Sequence, residues 1–162
     1  MTEALPAPFR SRALAVEPQW IDYNGHLNLA YYHVLFDRGV DELFDAIGLG
    51  ESYRARTGFT TYTAETHARY LKEVPRGSFV VVSSLIVGLD EKRLHVFQEM
   101  RHLDGWLAAT LESLSLSVDQ RGDAPKVAPF PAKTVETVRA GFAAHEGLPR
   151  PADLHRAIRP LG

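Results

Sequence analysis

The sequence predicts an α+β fold: an antiparallel sheet of about five strands wrapped around one long helix, with a second helix near the C-terminus. Three observations carry this reading. An apolar repeat of three and four runs over residues 29–47, four strand-like stretches follow it, and turn dipeptides punctuate them.

The elements follow in chain order. "FRSRALAVE" is short and stops before Pro18, so it reads as a first strand. "WIDYNGHLN" then reads as a loop around the turn pair Asn24-Gly25. From Leu29, the residues Tyr32, Leu35, Phe36, Val40, Leu43, Phe44 and Ile47 form one apolar helical face, with Asp37, Arg38, Asp41, Glu42 and Asp45 opposite. Gly48 is the expected stop, giving roughly 19 residues or about 28 Å. Gly39 costs this helix about 1 kcal/mol against alanine, which marks a close approach to another backbone.

Four consecutive antiparallel strands are expected next: "FTTYTAETHARYL", "SFVVVSSLIVGL", "RLHVFQEMRHL" and "WLAATLESLSLSV". Their turns are Pro75-Arg76-Gly77, Asp90-Glu91 and Asp104-Gly105. The second strand is almost continuously apolar, as a strand buried on both faces would be. "AKTVETVRAGFAAHEG" places Val135, Val138 and Phe142 at helical spacing before Gly147, and "LPRPADLHRAIRPLG" reads as a surface tail. One domain over residues 1–162 is expected, its core at about 9–120 and its C-terminal helix and tail at 126–162. One helix leaves the sheet's second face needing cover, so a homodimer or homotetramer is expected.

Composition excludes several function classes. A chain of 162 residues with formal net charge −2 has no basic field for nucleic acid. The absence of cysteine rules out thiolate catalysis and disulfides. "MTEALPAPFR" lacks a basic stretch followed by an apolar core, and no apolar run is long enough to span a bilayer; a cytoplasmic protein without membrane partners is expected. Seven histidines are present, but no HExxH or close ligand pair, so no metal is expected. GxSxG and P-loop motifs are missing as well.

The pattern DxxGHxN before a long helix and four strands resembles the hotdog-fold thioesterases of the 4-hydroxybenzoyl-CoA thioesterase type. "WIDYNGHLNLAYYHVLFDRGVDELFDAIGLG" and "ETHARYL...DEKRLHVFQEM" resemble the subgroup that occurs alone or fused to carnitine dehydrogenases and acts on betainyl-CoA. The resemblance implies hydrolysis of an acyl-CoA, with no cofactor beyond the CoA carried by the substrate. Two other readings stay open: a thioesterase for aromatic or medium-chain acyl groups, and an acyl-CoA-binding domain without catalysis. The family often has a second asparagine where this chain has Leu29, so no side-chain role transfers there.

A thioester leaves as a thiolate of pKa about 8.5, so the demanding tasks are supplying a nucleophile and stabilising an oxyanion. Asp22 is the candidate nucleophile or general base. It lies too far upstream of Leu29 to cap a helix starting there. The Leu29 backbone N–H is the oxyanion donor that the resemblance implies, in keeping with the free N–H groups of any helix start. Asn28 either caps the helix or orients the carboxylate, and His26 either bonds the loop or stands near the sulfur. Gly25 either completes a turn or lets the loop approach substrate. Glu65 is a second candidate acid across a subunit boundary, or else an exposed strand residue, and His67 shares its face. Trp20, Tyr23, Tyr31 and Tyr32 either line the core or cage a cationic acyl group. Arg69, Lys92 and Arg93, with Arg101, are cations available to CoA phosphates.

Overall fold

The computed structural model describes residues 5–156. The last residues of the expected tail lie outside that range.

The expected first strand divides in two, β1 (Phe9–Arg10) and β2 (Leu14–Ala15). Ser11 causes the break without detaching the segment: its N–H donates to the Val82 carbonyl at 2.9 Å and its hydroxyl accepts from the Val82 N–H at 3.0 Å. A side-chain oxygen thus substitutes for a ladder carbonyl. A short helical turn, Pro18–Trp20, then leads into the loop.

Helix α1 spans Leu29–Ala46, where its apolar period placed it. Leu35, Phe36 and Leu43 are fully buried, each worth about 1.5–3 kcal/mol of transfer free energy. A β-carbon on Gly39 would lie 2.5 Å from the Val82 β-carbon, so the glycine does mark a close approach, to a strand side chain. The chain leaves the helix through Gly48 at φ +79°. Helix α2 (Glu51–Thr57) was not expected: with Tyr53 as its one buried residue, it has too little apolar period to be seen.

The long strands are β3 (Phe59–Tyr70), β4 (Phe79–Leu89), β5 (Arg93–His102) and β6 (Leu107–Asp119), followed by the short β7 (Lys126–Val127) and helix α3 (Ala132–Glu146). Their spatial order is β1–β4–β5–β6–β3, with β2 also on β4 and β7 on β6. The expected hairpins join β4, β5 and β6. Pro75–Gly77, however, does not return β3 onto β4. β3 pairs with β6, from Phe59 opposite Asp119 to Tyr70 opposite Ala109, and the chain then crosses the end of the sheet to begin β4 at its far side.

α1 and α3 cover one face, hereafter the inner face. The expected surface tail is not free along residues 148–156: Leu148 and Leu154 pack on Leu85, Val87 and Phe97 of the outer face. Arg150 donates to the Val87 carbonyl and Asp153 pairs with Arg69. The segment is a strap that supplies part of the cover the outer face needs. Among the described residues, no helix is long and apolar enough to cross a membrane.

Candidate active site

Residues 20–28 form a small β-hairpin. The Asn28 N–H donates to the Trp20 carbonyl, Ile21 bridges Leu27, and the Asp22 N–H donates to the His26 carbonyl. The tip closes with the Gly25 N–H on the Asp22 carbonyl, and Gly25 takes φ +82°, as the residue after such a turn must. A β-carbon there would meet nothing, so the glycine answers to backbone conformation alone. The hairpin sets Asp22 opposite His26, two residues along the partner strand from Asn28, a diagonal of about 7–8 Å.

The helix start is built for anionic charge. Asn28 is the cap, its Oδ1 accepting from the Ala30 N–H at 3.0 Å. The Leu29 N–H has no acceptor among the described residues, and Leu29 is 62% exposed. An open donor at the positive end of the helix dipole is an oxyanion site in miniature. One Asp22 oxygen accepts the Asn24 N–H at 2.8 Å, a turn-stabilising bond that also aims the carboxylate.

The hairpin is pinned to the crossing segment between β3 and β4. The Leu27 N–H donates to the Val74 carbonyl, and His26 bridges Pro75, bringing His26 Nδ1 to 3.3 Å from Glu73. Beneath lies Tyr32, its hydroxyl donating to the Lys72 carbonyl and accepting from the Val74 N–H. Burial, opposed by that N–H and reinforced by Glu73, Tyr70 and Asp22, pushes the Tyr32 phenol up. Tyr32 therefore stays neutral and structural. Glu73 adjoins the hairpin only because the chain crosses the sheet here, which no local spacing signals; the Lys72 ammonium lies 4.4 Å from the Trp106 ring centroid instead.

The four aromatics do not converge as a cage. Trp20 is buried, one ring face stacked on Tyr31 at 5.3 Å and the other covered by the Arg38 guanidinium at 4.8 Å. Tyr32 lies in the core, while Tyr23 is 98% exposed at the hairpin tip. Burying Trp20 and Tyr32 supports the helix start instead.

The second acid and the expected CoA cations are also dispersed within the chain. Strand alternation turns Thr63 and Thr66 of β3 toward α1, across the β-bulge between Thr63 and Glu65, and turns Glu65, His67 and Arg69 outward. Glu65 thus lies on the opposite face from α1. Arg69 is engaged by Asp153, Arg93 by Asp90 at 2.6 Å, and Arg101 by Glu99 at 2.8 Å. Lys92 and Arg93 sit at the β4–β5 turn, the far end of a strand about 35 Å long from the crossing segment.

A groove of about 310 Å³ runs between α1 and the inner side of β3 and β6, lined by His33, Asp37, Val40, Thr66 and Leu111 among others. Leu29, His33 and Asp37 are four apart and so stand in one line along the helix. The groove therefore opens along the helix line that begins at Leu29.

Comparison with known proteins places the chain in a family. The profile of the thioesterase-like superfamily matches residues 16–140. A betainyl-CoA thioesterase of Pseudomonas aeruginosa is 36% identical over 143 residues, 88% of this chain and 89% of that protein. An L-carnitine dehydrogenase/betainyl-CoA thioesterase of Agrobacterium fabrum is 37% identical over 116 residues, 72% of this chain but 24% of that longer protein. Among solved structures, a Staphylococcus aureus protein in complex with CoA superposes with a TM-score of 0.82 at 27% identity, covering 93% of this chain and 94% of that one. The chain belongs to the thioesterase-like superfamily and is an acyl-CoA thioesterase of the hotdog fold.

Proposed function

We propose that this chain hydrolyses a small acyl-CoA with a cationic acyl group, betainyl-CoA being the fitting case, to free acid and CoA in the cytoplasm. One observation carries the chemistry: a hairpin returns the Asp22 carboxylate to a helix start whose Leu29 N–H is open. With the thioester oxygen on that N–H, Asp22 either attacks the carbonyl, expelling CoA thiolate and leaving a mixed anhydride that water cleaves, or takes a proton from an attacking water. The thiolate leaves without a dedicated acid in either route.

The acyl group then lies along the helix line toward His33 and Asp37. A carboxylate in that groove attracts a trimethylammonium, a task first assigned to the aromatics. The relatives named for betainyl-CoA support the same choice, and with it a role in carnitine breakdown. Arg76 follows Pro75, which bridges His26, and is the cation suited to CoA phosphates. We further propose a homodimer or homotetramer in which the free edge of β3 pairs with a second copy, because a twelve-residue edge strand rarely stays unpaired. Edge-to-edge pairing that continues the sheet keeps Glu65 on the outer face, so Asp22 is the acid of this reading.

A competing reading is a thioesterase for neutral acyl groups, aromatic or medium-chain, favoured by Val34, Val40 and Leu111 in the same groove. A panel of acyl-CoA substrates with free-thiol detection decides, run on wild type, Asp22→Ala and Asp37→Asn. Cationic specificity predicts that Asp37→Asn lowers kcat/KM for betainyl-CoA about tenfold and leaves a neutral substrate within about twofold. Equal losses on both would favour the neutral-acyl reading. No wild-type turnover on any thioester would leave acyl-CoA binding as the function.

A further inference from the structure

The outer face carries a second polar constellation, remote from Asp22. His95 Nε2 of β5 and His155 Nδ1 of the strap lie 2.8 and 3.3 Å from the same Glu112 oxygen, Oε1. One donor atom from each of the three lies within 4.8 Å of the others. The second Glu112 oxygen, Oε2, accepts the His155 backbone N–H at 2.8 Å, which orients the carboxylate and leaves Oε1 facing the two imidazoles. His67 stands opposite Glu112 in the β3–β6 register and lines the same cleft of about 380 Å³, as does Glu65. Arg156 also lines it, with Asp153 3.5 Å away to balance its charge.

Four ligands about 2.0–2.1 Å from a tetrahedral zinc ion lie about 3.4 Å from one another. Two of the donor separations, 2.8 and 3.3 Å, lie at or below that value and all lie within 4.8 Å, so side-chain rotation would seat an ion between them. We propose that His95, Glu112 and His155 bind Zn²⁺, with His67 as the fourth ligand. Two to three imidazoles and one carboxylate are a ligand set that suits this ion. Glu112 and His95 are largely shielded from solvent, and the sheet separates the cleft from the thioester site. The ion's role is therefore structural: it fastens the strap to three strands of the sheet. His95, Glu112 and His155 come from distant parts of the chain, which is why a search for local ligand spacing finds no metal.

The test is a Zn²⁺ titration of the untagged, chelator-treated full chain by calorimetry, repeated with Co²⁺ to read coordination from its visible spectrum. We expect one ion per chain at micromolar affinity or tighter and Co²⁺ bands of four-coordinate intensity. His95→Ala and His155→Ala should each weaken binding at least about tenfold. His155 is exposed, so its variant keeps the test valid should His95→Ala not fold. Absence of saturable binding, or binding unchanged in the doubly substituted chain, would overturn the proposal and leave the cluster a metal-free polar latch.

Discussion

The two faces of the sheet hold two polar sites made in different ways. On the inner side, the Asp22 site is mostly backbone: a hairpin ladder, a capped helix and an open N–H, all within residues 20–29. On the outer side, the histidine cluster is all side chain, drawn from β3, β5, β6 and the strap. A backbone-built site survives most side-chain changes and fails at one residue, its acid. A side-chain site comes apart ligand by ligand, with little effect on the fold.

The largest expected effect tests that asymmetry directly. Asp22→Asn retains an oxygen for the Asn24 N–H and so keeps the hairpin, but it removes the proposed nucleophile or base. We expect kcat/KM to fall about 10³-fold, or about 4 kcal/mol of transition-state stabilisation, with the melting temperature nearly unchanged. A loss below tenfold would show that another group does the chemistry. Next comes Trp20→Leu, which opens a gap beneath the hairpin and loses the Tyr31 and Arg38 contacts. It should cost about 3 kcal/mol in urea unfolding and lower turnover of cationic and neutral substrates by the same factor. A selective loss on the cationic substrate would restore Trp20 as a cage residue.

The same contrast explains how much could be read in advance. The hairpin turn at Asn24-Gly25, the Asn28 cap and the apolar face of α1 are local, and local residue types report local backbone. That Asp22 could not cap the helix followed from spacing alone; that a ladder folds it back needed the Trp20 and Leu27 pairings. The β3–β6 pairing was hidden, because a proline turn after Tyr70 looks alike whether it closes a hairpin or begins a crossing. With that pairing hidden, so were the outward turn of Glu65, the approach of Glu73 and the convergence of His67 with Glu112. The strap lies on the surface, as its prolines and arginines signal; its packing through Leu148 and Leu154 is what they conceal. Lys92 and Arg93 fit CoA by charge alone, and the β4–β5 turn carries them away from the hairpin.

A somewhat smaller effect is expected where α1 meets the sheet. Gly39→Ala puts a β-carbon 2.5 Å from that of Val82, and neither a helix backbone nor a fully buried valine yields freely. The strain should cost about 2 kcal/mol, reversing the usual gain of alanine over glycine in a helix. Val82→Ala removes the γ-carbons at 2.7 and 3.0 Å but keeps that β-carbon, so Gly39→Ala should remain costly in the Val82→Ala background, which urea unfolding of the three variants would reveal. A neutral Gly39→Ala would show the inner face to be as forgiving as the outer one.

The smallest effect is expected at the rim, where neither face decides. Asp119 ends β6, and hydrogen bonds from Arg121, first its side chain and then its backbone N–H, lower its carboxyl to about 2. The Arg121 guanidinium also lies 4.7 Å from the Phe59 ring centroid, closing the end where β3 begins. A folded-state value below the unfolded one, about 3.8, means the ionised form favours the fold. The contribution is complete above that unfolded value and is lost as pH falls toward 2. Asp119→Asn should therefore be less stable than wild type at neutral pH, and the gap should close on acidification through that window. Urea unfolding of both proteins at neutral pH and near pH 2 measures it. A gap that persists in acid would mean that Asp119 acts through hydrogen-bond shape rather than charge, and that the rim, like the Asp22 hairpin, is held by its backbone.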